Sequence, residues 1–425
     1  MKSLELIAAD EARRILFEVP PVGVETVSLA EAAGRVLAAA LIAPHDLPPA
    51  RLSAMDGYAA RAADVAQAGA TLRVVGAVPA GGTYAASLAP GEAVSIATGA
   101  LLPDGADTIV MVELTAPADA GASAPVVAGA ADRARDYVLP GGRVRVTKPV
   151  EVAAHVVMPG EDLRAGTTVL APGRRLAARD LAALAAFGCA TVQVFRRPRI
   201  AVLATGSEIC RVDETPRPGQ VRDSNQYILA AEVESAGGIA VRGGIVADDY
   251  DALHAAVARL CAENDGVVLS GGSSVGPKDL TGRVLANLGA PGVLFHGIDI
   301  RPGKPTVFAR VGVKPIVGMP GYPTSSMVVF EAFVRPMLAR LGGESPLDAW
   351  PAATFARLTR AYVKPSSRED YLRVRLSVRD GALDAEVLPG GSSAISNVLA
   401  ADGLARIPAG VERLEAGAVV AVRRF

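Results

Sequence analysis

From Pro198 to Leu341 short apolar strands alternate with helices, and that alternation narrows the possible folds more than anything else in the sequence. Strands are expected at residues 200–204, 239–246 and 266–269. A helix is expected at 225–235, ended by Gly237-Gly238, and another runs from an Asp248-Asp249 cap to Glu263. Further strands at 293–300, 306–311 and 315–318 lead into a long helix at 324–341. Strand and helix units of this length require right-handed crossovers, so the expected core is a doubly wound, mostly parallel α/β sheet with helices on both faces. Ligands of such a sheet bind outside the carboxyl ends of its strands.

The rest of the chain reads as β-rich. Two helical pieces open it: 4–19, stopped by Pro20-Pro21, and 29–41, capped by Ser28 and stopped before Pro44. Residues 45–166 carry β runs at 72–78, 93–97, 108–113 and 144–146, separated by Gly and Pro and by an Ala-, Gly- and Pro-rich loop at 117–131. A helix at 179–186 and a strand at 191–195 follow. After Trp350, strands at 371–378, 383–388, 403–407 and 418–422 predict a small closing barrel or sandwich.

Composition removes several classes of function. Lys plus Arg number 43 against 44 Asp plus Glu, which lacks the basic surplus that a nucleic-acid partner needs. Half of the residues are apolar, but no stretch of about 18 is free of charges and helix breakers, so no membrane span is expected. Lys2, Glu5, Asp10 and Glu11 stand where a signal sequence would be apolar, and the expected location is cytoplasmic. Cys189, Cys210 and Cys261 form no Cys-x-x-Cys pair and the four histidines lack ligand spacing, which argues against disulfide frameworks, zinc knuckles and His-rich metal sites.

Three strand ends are rich in glycine and hydroxyls. The first runs into Thr205-Gly206-Ser207-Glu208, the third into Ser270-Gly271-Gly272-Ser273, and a later one into Met319-Pro320-Gly321-Tyr322-Pro323. Glycine permits close backbone approach, and hydroxyls with helix-start N–H groups suit a phosphate or other oxyanion. One such loop is an ordinary tight turn; three converging on one edge point to binding. Glu208, Asp248 and Asp279 fall near that edge as hard oxygen ligands suited to Mg²⁺, with helix capping an equally good reading of Asp248 and Asp279. Arg301-Pro302-Gly303-Lys304-Pro305 sets two cations in a rigid turn, an anion clamp. Gly272-Ser273-Ser274-Val275-Gly276 also fits a hydrolase nucleophile elbow, but the only later histidine, His296, sits on an expected strand with no long segment for the rest of a hydrolase sheet. Neither a phosphate loop with its Lys-Ser/Thr ending nor a dinucleotide fingerprint occurs. In the β-rich unit, Asp56, Thr98 and Asp162 belong to polar clusters that turn chemistry alone explains.

Taken in order, Met55-Asp56-Gly57-Tyr58-Ala59, the Thr98-Gly99 to Asp107 segment, Glu161-Asp162, Ala204-Thr205-Gly206-Ser207-Glu208, Asp223-Ser224-Asn225, Asp248-Asp249, Ser270-Gly271-Gly272 through Asp279, Pro302-Gly303-Lys304-Pro305 and Met319-Pro320-Gly321 with Pro323 resemble the MoeA family. The gephyrin E domain belongs to the same family of molybdopterin molybdenumtransferases, and the resemblance spans essentially the whole chain. It implies insertion of molybdate into adenylated molybdopterin with Mg²⁺-dependent release of AMP. The alternative is a related non-catalytic or weakly active pterin-binding or scaffold protein.

The resemblance also implies a multidomain α/β plus β architecture. Its parts are a small linking β domain at 24–42 and 167–195, an inserted β-rich domain at 43–166, a molybdopterin-binding α/β domain at 1–23 and 196–346, and a C-terminal β-barrel at 347–425. In the family the assembly is a homodimer, with the inserted domain facing the α/β domain of the other subunit. The resemblance assigns catalysis to Asp56, Thr98, Asp162, Glu208, Asp248 and Lys304. It assigns Mg²⁺ binding to Asp279, Glu208 and Asp248. Substrate contacts are implied for Thr205, Gly206, Ser207, Ser270, Gly271, Gly272, Ser273, Arg301, Pro320, Gly321, Pro323, Arg368 and Ser392. Molybdopterin adenylyltransferase and molybdoenzyme maturation factors are the implied partners. Two positions depart from the family: Arg301 replaces a usual Lys, presenting a planar fork for a point charge, and Tyr322 replaces a usual Asn. Lys278 also stands beside Asp279.

Overall fold

The computed structural model describes residues 6–118, 138–272, 279–345 and 354–425. The chain forms two compact units, Met1–Ala40 with Ala171–Phe425, and Leu41–Leu170. The unit Leu41–Leu170 is built on a six-stranded sheet in the order Thr108–Met111, Gly57–Ala60, Glu92–Ile96, Thr71–Val78, Arg143–Val146, Thr115–Pro117. Leu72, Val74 and Val78 bury alternate positions of one strand, as the period of two requires. Tyr58 is fully buried, and its hydroxyl accepts the Val138 N–H at 2.6 Å, so the core holds no orphaned phenol there.

The larger unit contains the doubly wound sheet, in the order Ile239–Val246, Arg199–Thr205, Gly266–Ser270, Lys314–Met319, Val307–Val311, Pro291–His296. The first four strands are parallel and the last two antiparallel. Both faces are buried. Ile200 and Val202 pack with Leu229, Val233, Val328 and Phe333, while Ala201 and Leu203 pack with Leu253, Val257, Leu260 and Val284 on the other side. This two-sided burial is why the strand reads as a continuous apolar run in place of an alternating one.

The expected helix at 324–341 is a helical run of three parts: Pro323–Val329, a π turn Phe330–Val334, and Arg335–Leu341. Pro336 has no N–H to offer back to the preceding turn and its ring needs room, which the wider π turn provides. After it, the strands Glu369–Arg379, Ala382–Val387, Thr354–Leu358, Val419–Arg424 and Gly403–Ile407 close into a barrel, because the last pairs back with the first. Ala356, Val374, Ala385, Ala405 and Val422 fill it.

Two buried charge clusters tie the barrel to the helices of the sheet. Arg13, on the helix Ala9–Leu16, donates to Glu369 and Tyr371, and Arg406 donates to Glu369 at 2.8 Å. The Arg13 guanidinium also stands 5.0 Å above the Phe333 ring. Burial alone would raise the Glu369 carboxyl, but the Arg13 charge and the hydrogen bonds from Arg13, Tyr371 and Arg406 outweigh it and hold the group below its ordinary value. In the second cluster Glu331 meets Arg335 at 2.7 Å and Arg423 at 2.5 Å, and Arg335 also bonds Glu232. Burial, and then the neighbouring Glu331, push the Glu232 carboxyl up to about 7.

Several expectations need correction. The helix at 29–41 is only the single turn Leu29–Glu31; Gly34, at φ 73°, takes the chain out of helical conformation, and Val24–Ser28 is a strand paired with Thr191–Phe195. Ser28 does meet Glu31, its hydroxyl donating at 2.6 Å. The opening helix is Ala9–Leu16, and residues 1–5 lie outside the described residues, as does most of the 117–131 loop. The strand expected at 293–300 ends at His296, and Ile300–Arg301 pairs instead with the barrel strand Glu369–Arg379. No helix among the described residues is long and apolar enough to cross a membrane.

The Glu232 cluster makes stability depend on pH. Its folded-state pKa lies above the ordinary 4.5, so between the two values the unfolded chain ionises while the folded chain keeps the proton. The stabilisation is complete below about 4.5 and is lost as pH rises through about 7. Glu232→Gln should therefore lose less stability than the parent between about pH 5 and pH 8 in urea titrations. Equal losses would mean that Glu232 is ionised throughout.

Candidate active site

Thr205, Ser270 and Met319 end three adjacent parallel strands. Asn225, the first residue of the helix Asn225–Ser235, donates its Nδ2 to Ser270 Oγ and to Gly321 O, both at 2.7 Å. One amide thus binds a helix start to two strand ends. Gly271 has φ 97°, and a Cβ there would lie 2.2 Å from Thr205 O, so only glycine lets these strand ends come together. Asp223 accepts the Gln226 N–H at 3.0 Å; burial raises its carboxyl against the lowering effect of the N–H groups. These loops enclose a cleft of about 630 Å³, lined among others by Thr205, Glu208, Arg222, Asn225, Ser270, Gly272, Tyr322 and Pro323. Ser393 and Ile395 reach it from the barrel. Thr205 Oγ1 and Asn225 Oδ1 are buried without a partner among the described residues.

The three carboxylates have different surroundings. Glu208 is exposed, lines the cleft, and its carboxylate has no partner among the described residues. Asp248 and Ser207 clasp each other, Ser207 N–H donating to Asp248 Oδ2 at 3.2 Å and Asp248 N–H to Ser207 Oγ at 3.1 Å. The helix Tyr250–Glu263 is capped by Asp249, which accepts the Ala252 N–H at 2.8 Å. Asp279 caps the helix Leu280–Ala286: Oδ1 accepts the Gly282 N–H at 3.0 Å and Oδ2 stands 3.4 Å from His296 Nδ1. Among the described residues no three acidic, His or Cys side chains form a metal-holding group, so the expected trio does not converge. Mg²⁺ needs only one or two carboxylates beside phosphate and water, and the hard oxygens of Glu208, with Asp248 one strand away, fit that demand.

A second hollow, of about 250 Å³, is lined by Arg301, Pro302, Tyr362, Asp370, Arg373 and Ser392, among others. Burial, and then the nearby Arg301 charge, pull the Arg373 guanidinium below its ordinary pKa. Arg373 donates to Gly390 O at 2.8 Å, and Tyr362 donates to Asp370 Oδ2 at 2.7 Å. The successive residues Ser392 and Ser393 line the hollow and the cleft respectively, and Ser392 O accepts the Thr324 N–H at 3.3 Å.

Other expected site residues are placed as follows. Arg368 pairs with Asp299 at 3.3 Å and lines neither space, and Lys304 lines neither. Pro320 is buried behind the cleft, its carbonyl accepting from Ser326 Oγ. Ser273 and Lys278 lie outside the described residues. In the unit Leu41–Leu170, Asp56 Oδ1 accepts both the N–H and the hydroxyl of Thr98, at 2.7 and 2.8 Å, with both residues exposed. Asp162 is exposed on the turn after Val156–Val157 and shares no hydrogen bond with that pair. Sequence reasoning passed over Asn225, Arg222 and Arg373. For Asn225 a signal existed, an amide at the start of an amphipathic helix within Asp223-Ser224-Asn225; Arg373 looks like any outward residue of a barrel strand.

Comparison with known proteins agrees across the chain. Residues 7–188 match the MoeA N-terminal region (domains I and II), 201–340 a probable molybdopterin binding domain, and 356–425 the MoeA C-terminal region (domain IV). A molybdopterin molybdenumtransferase of Nostoc sp. is 35% identical, over 94% of this chain and 88% of its own. The chain belongs to the MoeA family. The molybdopterin molybdenumtransferase of Bacillus subtilis is 31% identical over 98% of this chain and 93% of its own. A solved MoeA protein of molybdopterin biosynthesis from Pyrococcus horikoshii superposes with a TM-score of 0.80 at 33% identity, covering 99% of both chains. The expected MoeA-like multidomain fold, with a closed barrel near the C-terminus, is therefore the one observed.

Asn225→Ala leaves Ser270 Oγ and the Gly321 carbonyl without their shared donor. It should lower unfolding stability by about 2 kcal/mol in urea titration, the usual cost of stranding buried polar groups. A change within about 0.5 kcal/mol would show that water replaces the clasp without loss.

Proposed function

We propose that this MoeA-family chain is a molybdopterin molybdenumtransferase of molybdenum cofactor biosynthesis, inserting molybdate into adenylated molybdopterin with Mg²⁺-dependent release of AMP. The observation that carries this reading is the juxtaposition of two spaces. The larger cleft sits at the strand ends, where backbone N–H groups and hydroxyls suit a pterin phosphate. Beside it, Arg301 and Arg373 line one hollow of about 250 Å³, near enough for the charge of one to act on the other. Two guanidinium groups repel until an anion joins them, and tetrahedral molybdate, a dianion, presents oxygens to both. Asp370, whose Oδ2 accepts from Tyr362, offsets part of that charge. Ser392, at the seam of the two spaces, adds a hydroxyl on the molybdate side.

In the cleft, Ser270, the strand-end backbone and the unpartnered Thr205 hydroxyl orient the phosphate as donors, while Asn225 Oδ1 is free to accept from an N–H or hydroxyl of the substrate. Glu208 would hold Mg²⁺, with Asp248 the next carboxylate, and the ion would supply charge neutralisation at the phosphate bond that is cleaved. Asp279 keeps the helix start beside the cleft in place through its cap. Asp56, Thr98, Asp162, Lys304 and Arg368 take part in the proposed reaction on the ground of the family resemblance. A cytoplasmic homodimer, supplied by molybdopterin adenylyltransferase and serving molybdoenzyme maturation factors, completes the proposal.

The reading is tested by following AMP released from adenylated molybdopterin with molybdate and Mg²⁺. Arg301→Ala and Arg373→Ala should each raise the molybdate concentration for half-saturation about tenfold, the value of one lost charge-assisted contact, while Arg301→Lys recovers most of the loss. Glu208→Gln should slow release and require more Mg²⁺. Absence of AMP release by the folded parent would refute the proposed activity.

A further inference from the structure

We infer that Tyr322 and Ile395 form a slot for the fused ring of the pterin at the mouth of the cleft, an assignment that rests on the proposed function. Tyr322 occupies the N-cap of the helix Pro323–Val329, a place usually taken by Ser, Thr, Asp or Asn because their side chains accept a helix N–H. Its side chain makes no such bond, and the residue is 58% exposed. Helix formation therefore gives no reason for a large aromatic here. Ile395, at the start of the barrel helix Ile395–Ala400, is 46% exposed.

Both side chains line the same cleft, whose deeper wall is polar, with Thr205, Asn225 and Ser270. The segments that carry them are tied where Ser392 O, three residues before Ile395, accepts the Thr324 N–H. Exposed apolar surface beside a polar cleft is stabilised by a flat ring that stacks on the tyrosine face and covers the isoleucine. A ligand that fits has a planar heteroaromatic end outward and a phosphate inward, against the strand ends. Adenylated molybdopterin carries two such rings, the pterin and the adenine. The pterin is favoured because the dithiolene that would take the metal is fused to it, and Ile395 stands three residues from Ser392, which lines the molybdate hollow.

The test uses each ring by itself on the full chain: 6-hydroxymethylpterin, followed by its own fluorescence, and AMP, followed by calorimetry. Stacking should quench the pterin in the parent and in Tyr322→Phe. Tyr322→Ala should weaken pterin binding about fivefold and reduce the quenching, Ile395→Ser should weaken it less, and AMP affinity should not change. With adenylated molybdopterin, KM should rise more than kcat falls in Tyr322→Ala. Unaltered pterin affinity in both variants, no pterin binding by the parent, or a loss confined to AMP would each overturn the slot. AMP release by the parent is scored separately, so the slot can fail while the proposed activity stands, and the reverse.

Discussion

A parallel sheet is stable only when both of its faces are covered, and most of this molecule follows from that requirement. Strands such as Arg199–Thr205 bury side chains on both sides, so helices must lie above and below, and the connections must cross over. With both faces closed, the carboxyl ends of the strands are where the backbone opens to a ligand. Glycines such as Gly271 let the strand ends approach one another, and Asn225 joins two of them by a single amide. The chemistry of the cleft is thus a consequence of how the sheet is covered.

The barrel is attached to this sheet by charge as well as by apolar packing. Arg13 and Arg406 converge on Glu369, and Arg335 and Arg423 on Glu331, all largely removed from water. Such clusters contribute little net stability over apolar packing, but breaking one partner is costly and the bonds are directional, so they fix how the barrel seats. That seating shapes both spaces. It brings Ser393 and Ile395 to the cleft and Arg373 to the hollow that Arg301 also lines.

Much of the α/β core was legible before the structure, because its strands and helices are long enough for period and caps to agree. The helices Asn225–Ser235 and Tyr250–Glu263 fall where the pattern puts them. The stretch after Ser28 misled because a good cap and apolar spacing resemble a helix start, while Gly34 and the pairing of Val24–Ser28 with Thr191–Phe195, more than 160 residues on, prevail. Asp248 and Asp279 illustrate the same limit in the site. Either could cap a helix or hold a cation, and only the coordinates show that Asp279 caps while Asp248 clasps Ser207.

The sequence by itself determined the fold class, the edge of the sheet where the glycine-rich strand ends meet, and the family, since periodicity and ordered motifs are local properties that survive without coordinates. Tertiary structure alone decided which side chains share a space. Arg301 and Arg373 are 72 positions apart and carry no common pattern, yet the closed barrel brings both to the lining of one hollow. Tyr322 and Ile395 meet the same cleft because the barrel packs against the sheet, with Ser392 O accepting the Thr324 N–H between them. Such contacts depend on the packing of separate elements, which no local spacing encodes.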